Sequence, residues 1–167
     1  MEPWSTSKQM RPSQLCGIQI YQSYGAHYTG ESLQVRYKEL VQQAEESIAK
    51  EKQVTYPEVD LTVIFVQLYL ESHPTGASVH HLKEWGRLMA RTFRVLSRKR
   101  LELYPHTKEI LEDMKVAGCR IYLLSNAQAD FTNPEIDLLG LREIFHDIYL
   151  SSDAGIRKPQ QEFLVKV

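Results

Sequence analysis

The feature that most constrains the fold is a short apolar run that stops abruptly at polar side chains. Residues Ile121 to Leu124 form an unbroken run without polar alternation, which is typical of a strand buried on both faces of a parallel sheet. The run ends at Ser125 and Asn126. Because ligands of open α/β sheets bind at the carboxyl ends of the strands, these two side chains mark a candidate site.

A second apolar run, from Ile148 to Leu150, leads through Gly155 to Lys158. From Leu103 onward the predicted helices and strands alternate, which indicates right-handed crossovers and a parallel sheet. The helices of this half are predicted to run from Pro105, from about Pro134 through Leu139, and from Pro159. A hydroxyl at one strand end and an ammonium near the next are suited to hold a phosphoryl oxyanion.

The chain before Leu103 is predicted to be helical. Its clearest helix runs from Glu31 to Lys50, with apolar side chains on one face. We expect Pro57 in the first turn of the next helix and a longer helix from about Val79. The sequence therefore predicts three segments, which are an irregular or disordered tail over 1–14, a helical segment over 15–103 and an α/β segment over 104–167.

Charge and composition exclude several classes of partner. Twenty basic against 21 acidic side chains produce no field that would attract nucleic acid or an anionic membrane. No apolar run approaches the roughly 20 residues that span a bilayer. Cys16 and Cys119 are too few for a disulfide framework or a zinc site. We therefore expect two free thiols in a cytoplasmic protein, and the sequence indicates no oligomeric state.

Four stretches together resemble a haloacid dehalogenase (HAD) superfamily hydrolase. They are Tyr104-Pro105 before a helix, the Leu-Leu-Ser-Asn-Ala-Gln strand end, the Gly-Leu-Arg-Glu-Ile-Phe stretch from Gly140, and Gly155-Ile-Arg-Lys158-Pro159. The helical first half resembles the cap inserted early in such proteins. The resemblance implies an α/β fold, with a partial Rossmann-like (HAD-type) parallel sheet and an N-terminal all-helical cap.

The resemblance also implies a chemistry and roles for three residues. It implies a Mg²⁺-dependent phosphatase that acts on a small phosphorylated substrate through an aspartyl-phosphate intermediate. Ser125, with the neighbouring Asn126 amide, would hold a phosphoryl oxygen. Lys158 would neutralise the charge on the nucleophile and the phosphoryl group together. Ser125 and Lys158 are thus the predicted catalytic residues, and both also belong with Asn126 to the predicted phosphate-binding set.

The sequence departs from the family pattern at its most reactive position. The family nucleophile is the first aspartate of an Asp-x-Asp motif that follows the first strand and precedes the cap, whereas the first aspartate of this chain is Asp60, inside the predicted cap. The acidic motif that completes the metal site should follow Lys158 by a helix and a strand, but the printed sequence ends at Val167. We therefore expect a chain truncated at both ends, with no metal ligands of its own and no hydrolase activity.

Three functional hypotheses stay open at this point. The chain is a fragment of a longer active phosphatase, or a non-catalytic remnant that binds phosphate or a partner, or a receiver-like phosphoacceptor domain. The last fits less well because a receiver carries its acidic pocket upstream of the hydroxyl. His80 and His81 are expected on the cap surface, and the basic run 98–100 is expected to be a solvated helix end.

Overall fold

The computed structural model describes residues 19–20, 22–23, 28–73 and 78–165. These residues form two compact units. Residues 28–47 and Leu61–Arg98 make the first, the helical unit, and Ile48–Asp60 with residues 99–165 make the second, the α/β unit. The tail predicted over 1–14 lies outside the described residues. Residues 48–60, between two segments of the helical unit in sequence, group with the α/β unit.

The helical unit contains three long helices in its described part. They are α1 (Gly30–Lys52), whose last residues belong to the α/β unit, α2 (Leu61–Ser72) and α3 (Val79–Ser97). Ser78 caps the N-terminus of α3, because its side chain accepts a hydrogen bond from the backbone N–H of His81. The buried apolar side chains of this unit are Leu33, Tyr37, Leu40, Ile64, Phe65, Leu68, Trp85, Met89 and Ala90.

The α/β unit contains a parallel pair of strands with helices before, between and after them. Its elements are α4 (Thr107–Val116), β1 (Tyr122–Ser125), α5 (Ala129–Leu138), a 3₁₀ turn (Arg142–Ile144), β2 (Asp147–Leu150) and two short helices, α6 (Ser151–Ala154) and α7 (Gln161–Leu164). β1 pairs with β2 in parallel, and the connection between them carries α5. The fold is therefore α/β and partly Rossmann-like, as predicted. Its core is built on Ile121, Ile136, Leu141 and Ile144.

The expectation that the Ile121 strand is buried on both faces is wrong. Tyr122 is 37% exposed, and the other three residues of β1 are half-buried. Within the described residues β1 pairs only with β2, so the apolar run has a neighbouring strand on one side alone. The unbroken apolar run predicted the position of the strand correctly, but the side chains of the strand are more exposed than the run predicted.

The placement of Pro57 in a helix is also wrong. Pro57 forms an antiparallel bridge with Ile156, and α2 begins only at Leu61. The bridge is extended by two backbone hydrogen bonds, from Glu58 N–H to the Gly155 carbonyl at 3.0 Å and from Arg157 N–H to the Tyr56 carbonyl at 2.9 Å. These partners lie about a hundred positions away in sequence, so no local pattern could indicate them.

The helix predicted from Pro134 begins five residues earlier, and Pro134 lies inside α5. Ala129 N–H donates to the side-chain oxygen of Ser152 at 2.8 Å, and the Gln128 carbonyl accepts from the backbone of the first turn. These contacts satisfy amides at the beginning of the helix. A tertiary contact therefore determines where α5 begins, rather than the proline.

α4 ends two residues before a glycine. α4 ends at Val116, and Gly118 adopts a left-handed conformation with φ of 83°, as expected for a glycine that terminates a helix. No helix within the described residues has both the length and the apolar character needed to cross a membrane.

Candidate functional site

The two parallel strands end at the same edge of the sheet. Ser125 is the last residue of β1 and lies opposite Leu150, the last residue of β2. Parallel strands bring the side chains that follow them to a common edge, where open α/β sheets bind their ligands. The side chains at this edge are therefore the ones to compare with the predicted site.

Lys158 lies against the end of β1, as a half-buried side chain. Its Nζ donates to the carbonyl oxygen of Leu124 at 2.9 Å. This carbonyl immediately precedes Ser125, so the ammonium lies next to the peptide that carries the predicted hydroxyl. Lys has three donors on Nζ, and the contact with Leu124 uses one of them.

Asn126 contacts the backbone of Lys158 through both ends of its side-chain amide. Its Nδ2 donates to the Lys158 carbonyl at 3.1 Å, and its Oδ1 accepts from the Lys158 N–H at 2.7 Å. The two residues are 32 positions apart in sequence. Asn126 therefore connects the end of β1 to the segment that carries Lys158, and one of its two Nδ2 hydrogens is used in doing so.

Ser125 itself is half-buried. Its hydroxyl has no hydrogen-bond partner within the part of the chain that the structure describes. The structure thus brings Asn126 and Lys158 into direct contact and places Ser125 beside the carbonyl that Lys158 contacts. The roles predicted for the three residues stay predictions.

Sequence reasoning missed a second cluster at this edge, formed by Glu58, Ser151 and Gln128. Ser151 is fully buried and its hydroxyl donates to Glu58 Oε2 at 2.8 Å. Gln128 Nε2 donates to Glu58 Oε1 at 3.1 Å and to the Val59 carbonyl at 2.8 Å. One available signal pointed to Ser151, since it directly follows β2 just as Asn126 directly follows β1.

Two other carboxylates of the α/β unit repel the negative charge of Asp153. Burial raises the pKa of the Asp153 carboxyl above its usual range, and the negative charges of Asp60 and Asp130 raise it further. These three aspartates are nevertheless not placed to hold a metal ion together. Within 28–73 and 78–165, no group of three His, Cys, Asp or Glu side chains is placed to hold a metal ion.

No magnesium site is assigned among the residues that the structure describes. Magnesium requires an octahedral set of oxygen ligands and is usually held by one or two carboxylates with further oxygens. His80 and His81, at the beginning of α3, are exposed and belong to no such group.

The fold and the polar strand ends define an α/β protein with a candidate anion site at the carboxyl edge of its sheet. A profile of the haloacid dehalogenase-like hydrolase family matches residues 29–167. The match covers most of the chain, so the protein belongs to this family.

A comparison with curated proteins finds no match. Among solved structures, the chain is similar to YfnB from Bacillus subtilis, which is described as a HAD-hydrolase and was crystallised in an orthorhombic form bound to magnesium. The identity is 17% and the TM-score 0.43, with 92% of this chain covered. This chain spans 64% of the length of that structure.

Proposed function

We propose that this HAD-family chain holds a phosphate group at the carboxyl edge of its sheet, through Ser125, Asn126 and Lys158, without hydrolysing its ester. The contact of Lys158 Nζ with the Leu124 carbonyl, at 2.9 Å, carries the proposal. It keeps a cation next to the peptide that carries Ser125 while leaving two ammonium donors for an anion.

The ligand class follows from these donors. Hydroxyl, amide and ammonium groups are all hydrogen-bond donors, and they suit a small dianion such as a phosphate monoester. Asn126 contributes its remaining Nδ2 hydrogen and also keeps Lys158 near the end of β1. Family membership supports a small phosphorylated compound as the ligand.

The part of the proposal that excludes hydrolysis rests on which carboxylates the chain contains and where they lie. The printed sequence contains no aspartate before Asp60, whereas the resemblance implies an attacking aspartate that precedes the cap. Within the described residues, no group of three His, Cys, Asp or Glu side chains is placed to hold a metal ion. We accordingly assign no step of the reaction to this chain beyond holding and neutralising the anion.

Phosphate binding is tested by titrating inorganic phosphate into the protein and measuring heat or ³¹P line width. Replacing Lys158 by Met is expected to weaken binding by roughly 10- to 100-fold, because a charge-assisted hydrogen bond is lost. Ser125→Ala is expected to weaken it by roughly 2- to 10-fold, as for a neutral hydrogen bond. Lys99→Met, at an exposed position of the same unit, is the matched control. Equal affinity in all four proteins would overturn the proposal.

Hydrolysis is tested separately, with p-nitrophenyl phosphate in the presence of Mg²⁺. We expect no turnover above that of the Ser125→Ala variant. Turnover that this substitution removes would show that an unrecognised nucleophile operates in the chain, and the non-hydrolytic part of the proposal would then be wrong.

A further inference from the structure

The loop over 126–128, which follows β1, is held by a side chain from outside the α/β segment predicted from sequence. Glu58 lies in the 48–60 segment of the α/β unit and is half-buried. Its Oε2 accepts from the hydroxyl of Ser151, 93 positions away, and its Oε1 accepts from the side chain of Gln128. Both carboxylate oxygens therefore face donors that follow a strand end.

Ser151 relays this contact to the loop backbone. Its Oγ accepts a hydrogen bond from the Ala127 N–H at 2.9 Å. A hydroxyl has a single hydrogen, and the Ser151 Oγ lies 2.8 Å from Glu58 Oε2 but 3.3 Å from the Ala127 carbonyl. The carboxylate thus directs the hydroxyl hydrogen towards itself and leaves a lone pair of Oγ for the Ala127 amide.

The polarity of these contacts requires a carboxylate at position 58. Glu58 accepts two hydrogen bonds and donates none, and a carboxylate is a group that only accepts. A glutamine there would direct its own N–H₂ group at either Ser151 or Gln128. In the first case the Ser151 hydrogen loses its carboxylate acceptor, and in the second case two amide donors face each other.

We propose that Glu58 is a positioning residue for the anion site, acting through Ser151 on the Ala127 amide and directly on Gln128. Ala127 follows Asn126, whose side chain is hydrogen-bonded to the backbone of Lys158. Holding residues 127 and 128 therefore keeps the predicted phosphate donors in one arrangement before the anion binds. This inference rests on the proposed phosphate-binding function and adds a residue to it from the first half of the sequence.

The test uses the full chain and compares Glu58→Gln with Glu51→Gln, an exposed glutamate of the same 48–60 segment. Amide hydrogen exchange is measured without phosphate, and inorganic phosphate is then titrated. In Glu58→Gln we expect exchange at Ala127 to accelerate roughly 5- to 10-fold, as for the loss of one hydrogen bond. Exchange at Leu123 and Leu124 should not change, and the phosphate dissociation constant should rise several-fold. Glu51→Gln should match the wild type in every respect.

A second variant keeps the test decisive if Glu58→Gln does not fold. Ser151→Ala retains the carboxylate and removes only the relaying hydroxyl, so it should give the same local acceleration at Ala127. Unchanged exchange at Ala127, or acceleration by the same factor throughout the α/β unit, would overturn the inference, because it would leave Glu58 no local role. Unchanged phosphate affinity in Glu58→Gln, with affinity lost in Ser125→Ala, would also overturn it. Failure of the wild type to bind phosphate would instead identify the proposed function as wrong.

Discussion

The carboxylate of Glu71, in the helical unit, is held by two side chains from the region around the beginning of α1. Arg36 donates to it through Nε, at 3.1 Å and 3.0 Å to its two oxygens, and through Nη2 at 2.6 Å, and the Tyr28 hydroxyl donates at 2.9 Å. The Arg36 hydrogen bonds lower the pKa of the Glu71 carboxyl below its ordinary value of 4.5, although burial opposes them. Burial, together with the nearby carboxylate, raises the pKa of Tyr28 to about 12.

These shifts predict a pH dependence of stability. Because the pKa of Glu71 is lower in the folded than in the unfolded chain, its contribution is fully present above pH 4.5 and is lost as the pH falls through the folded pKa. Glu71→Gln should therefore lower the melting temperature at pH 7, and this difference from the wild type should shrink progressively as the pH falls below 4.5. Glu84→Gln, at an exposed ion pair with Arg87, should change little at either pH. A Glu71→Gln deficit that is constant with pH would contradict this assignment.

Local signals in the sequence pointed to residues at a strand end but not to their long-range partners. Ser125 and Asn126 were selected because they follow an apolar run, and Lys158 because it precedes a proline in a family motif. The structure brings Asn126 and Lys158 into contact. Glu58 carried no such signal, since its role depends on a hydroxyl 93 positions further along the chain. Contacts of that separation depend on the topology of the chain and have no periodicity that could be read beforehand.

At the scale of elements, periodicity predicted the long helices well and the irregular segments poorly. Apolar spacing placed α1 and α3 to within a few residues, because each helix buries one face. Pro57 and Pro134 were both assigned to helix beginnings, and both assignments were wrong. Pro57 lies in an extended bridge with Ile156, and Pro134 lies inside α5. In each case hydrogen bonds from a distant part of the unit outweighed the local preference of proline.

The packing of α2 against α3 depends on Gly86, which no pattern in the sequence singles out. A Cβ atom at this position would lie 2.7 Å from the Thr62 carbonyl oxygen and 2.8 Å from Val66 Cγ2. The first of these atoms belongs to a helix backbone and cannot move without displacing the helix. Gly86→Ala should therefore destabilise the protein by about 1–3 kcal/mol, as overpacking does.

Whether Gly86→Ala destabilises or stabilises the protein shows whether α2 and α3 approach closely at this position. In an open helix the same substitution stabilises by roughly 0.5–1 kcal/mol. Urea denaturation followed by circular dichroism would distinguish the two directions. Lys83→Ala, at an exposed position of α3, controls for helix propensity and should be nearly neutral. A Gly86→Ala protein more stable than the wild type would show that the two helices do not approach as closely as described.

At the scale of the whole molecule, the chain has two separate sets of buried side chains. Leu68 is 1% exposed within the helical unit, and Ile136 is 5% exposed within the core of the α/β unit. Sequence reasoning predicted the change from helical to α/β near Leu103, and the units change at Arg98. It could not predict that residues 48–60 return to the α/β unit, because that assignment is made by pairing with the Gly155–Arg157 region.

Because each unit has its own buried side chains, we expect the protein to unfold in two transitions. Leu68→Ala and Ile136→Ala each remove apolar contacts from a single core, at a cost of about 2–5 kcal/mol for substitutions of this kind. Each should lower the midpoint of its own unit and leave the other close to wild type, since each substitution removes buried contacts from one unit only. Hydrogen exchange monitored by NMR distinguishes the units, through amides of α2 and α3 for the first and of β1 and β2 for the second.

The exposed valines Val63 and Val116, one in each unit, provide matched controls. Val63→Ala and Val116→Ala remove apolar atoms that already contact water, so neither should shift a midpoint appreciably. If Leu68→Ala and Ile136→Ala instead accelerated exchange equally in both units, the whole chain would unfold as one cooperative body. Residues 48–60 would then be the first place to seek the coupling, because α1 passes from the helical unit into the α/β unit there.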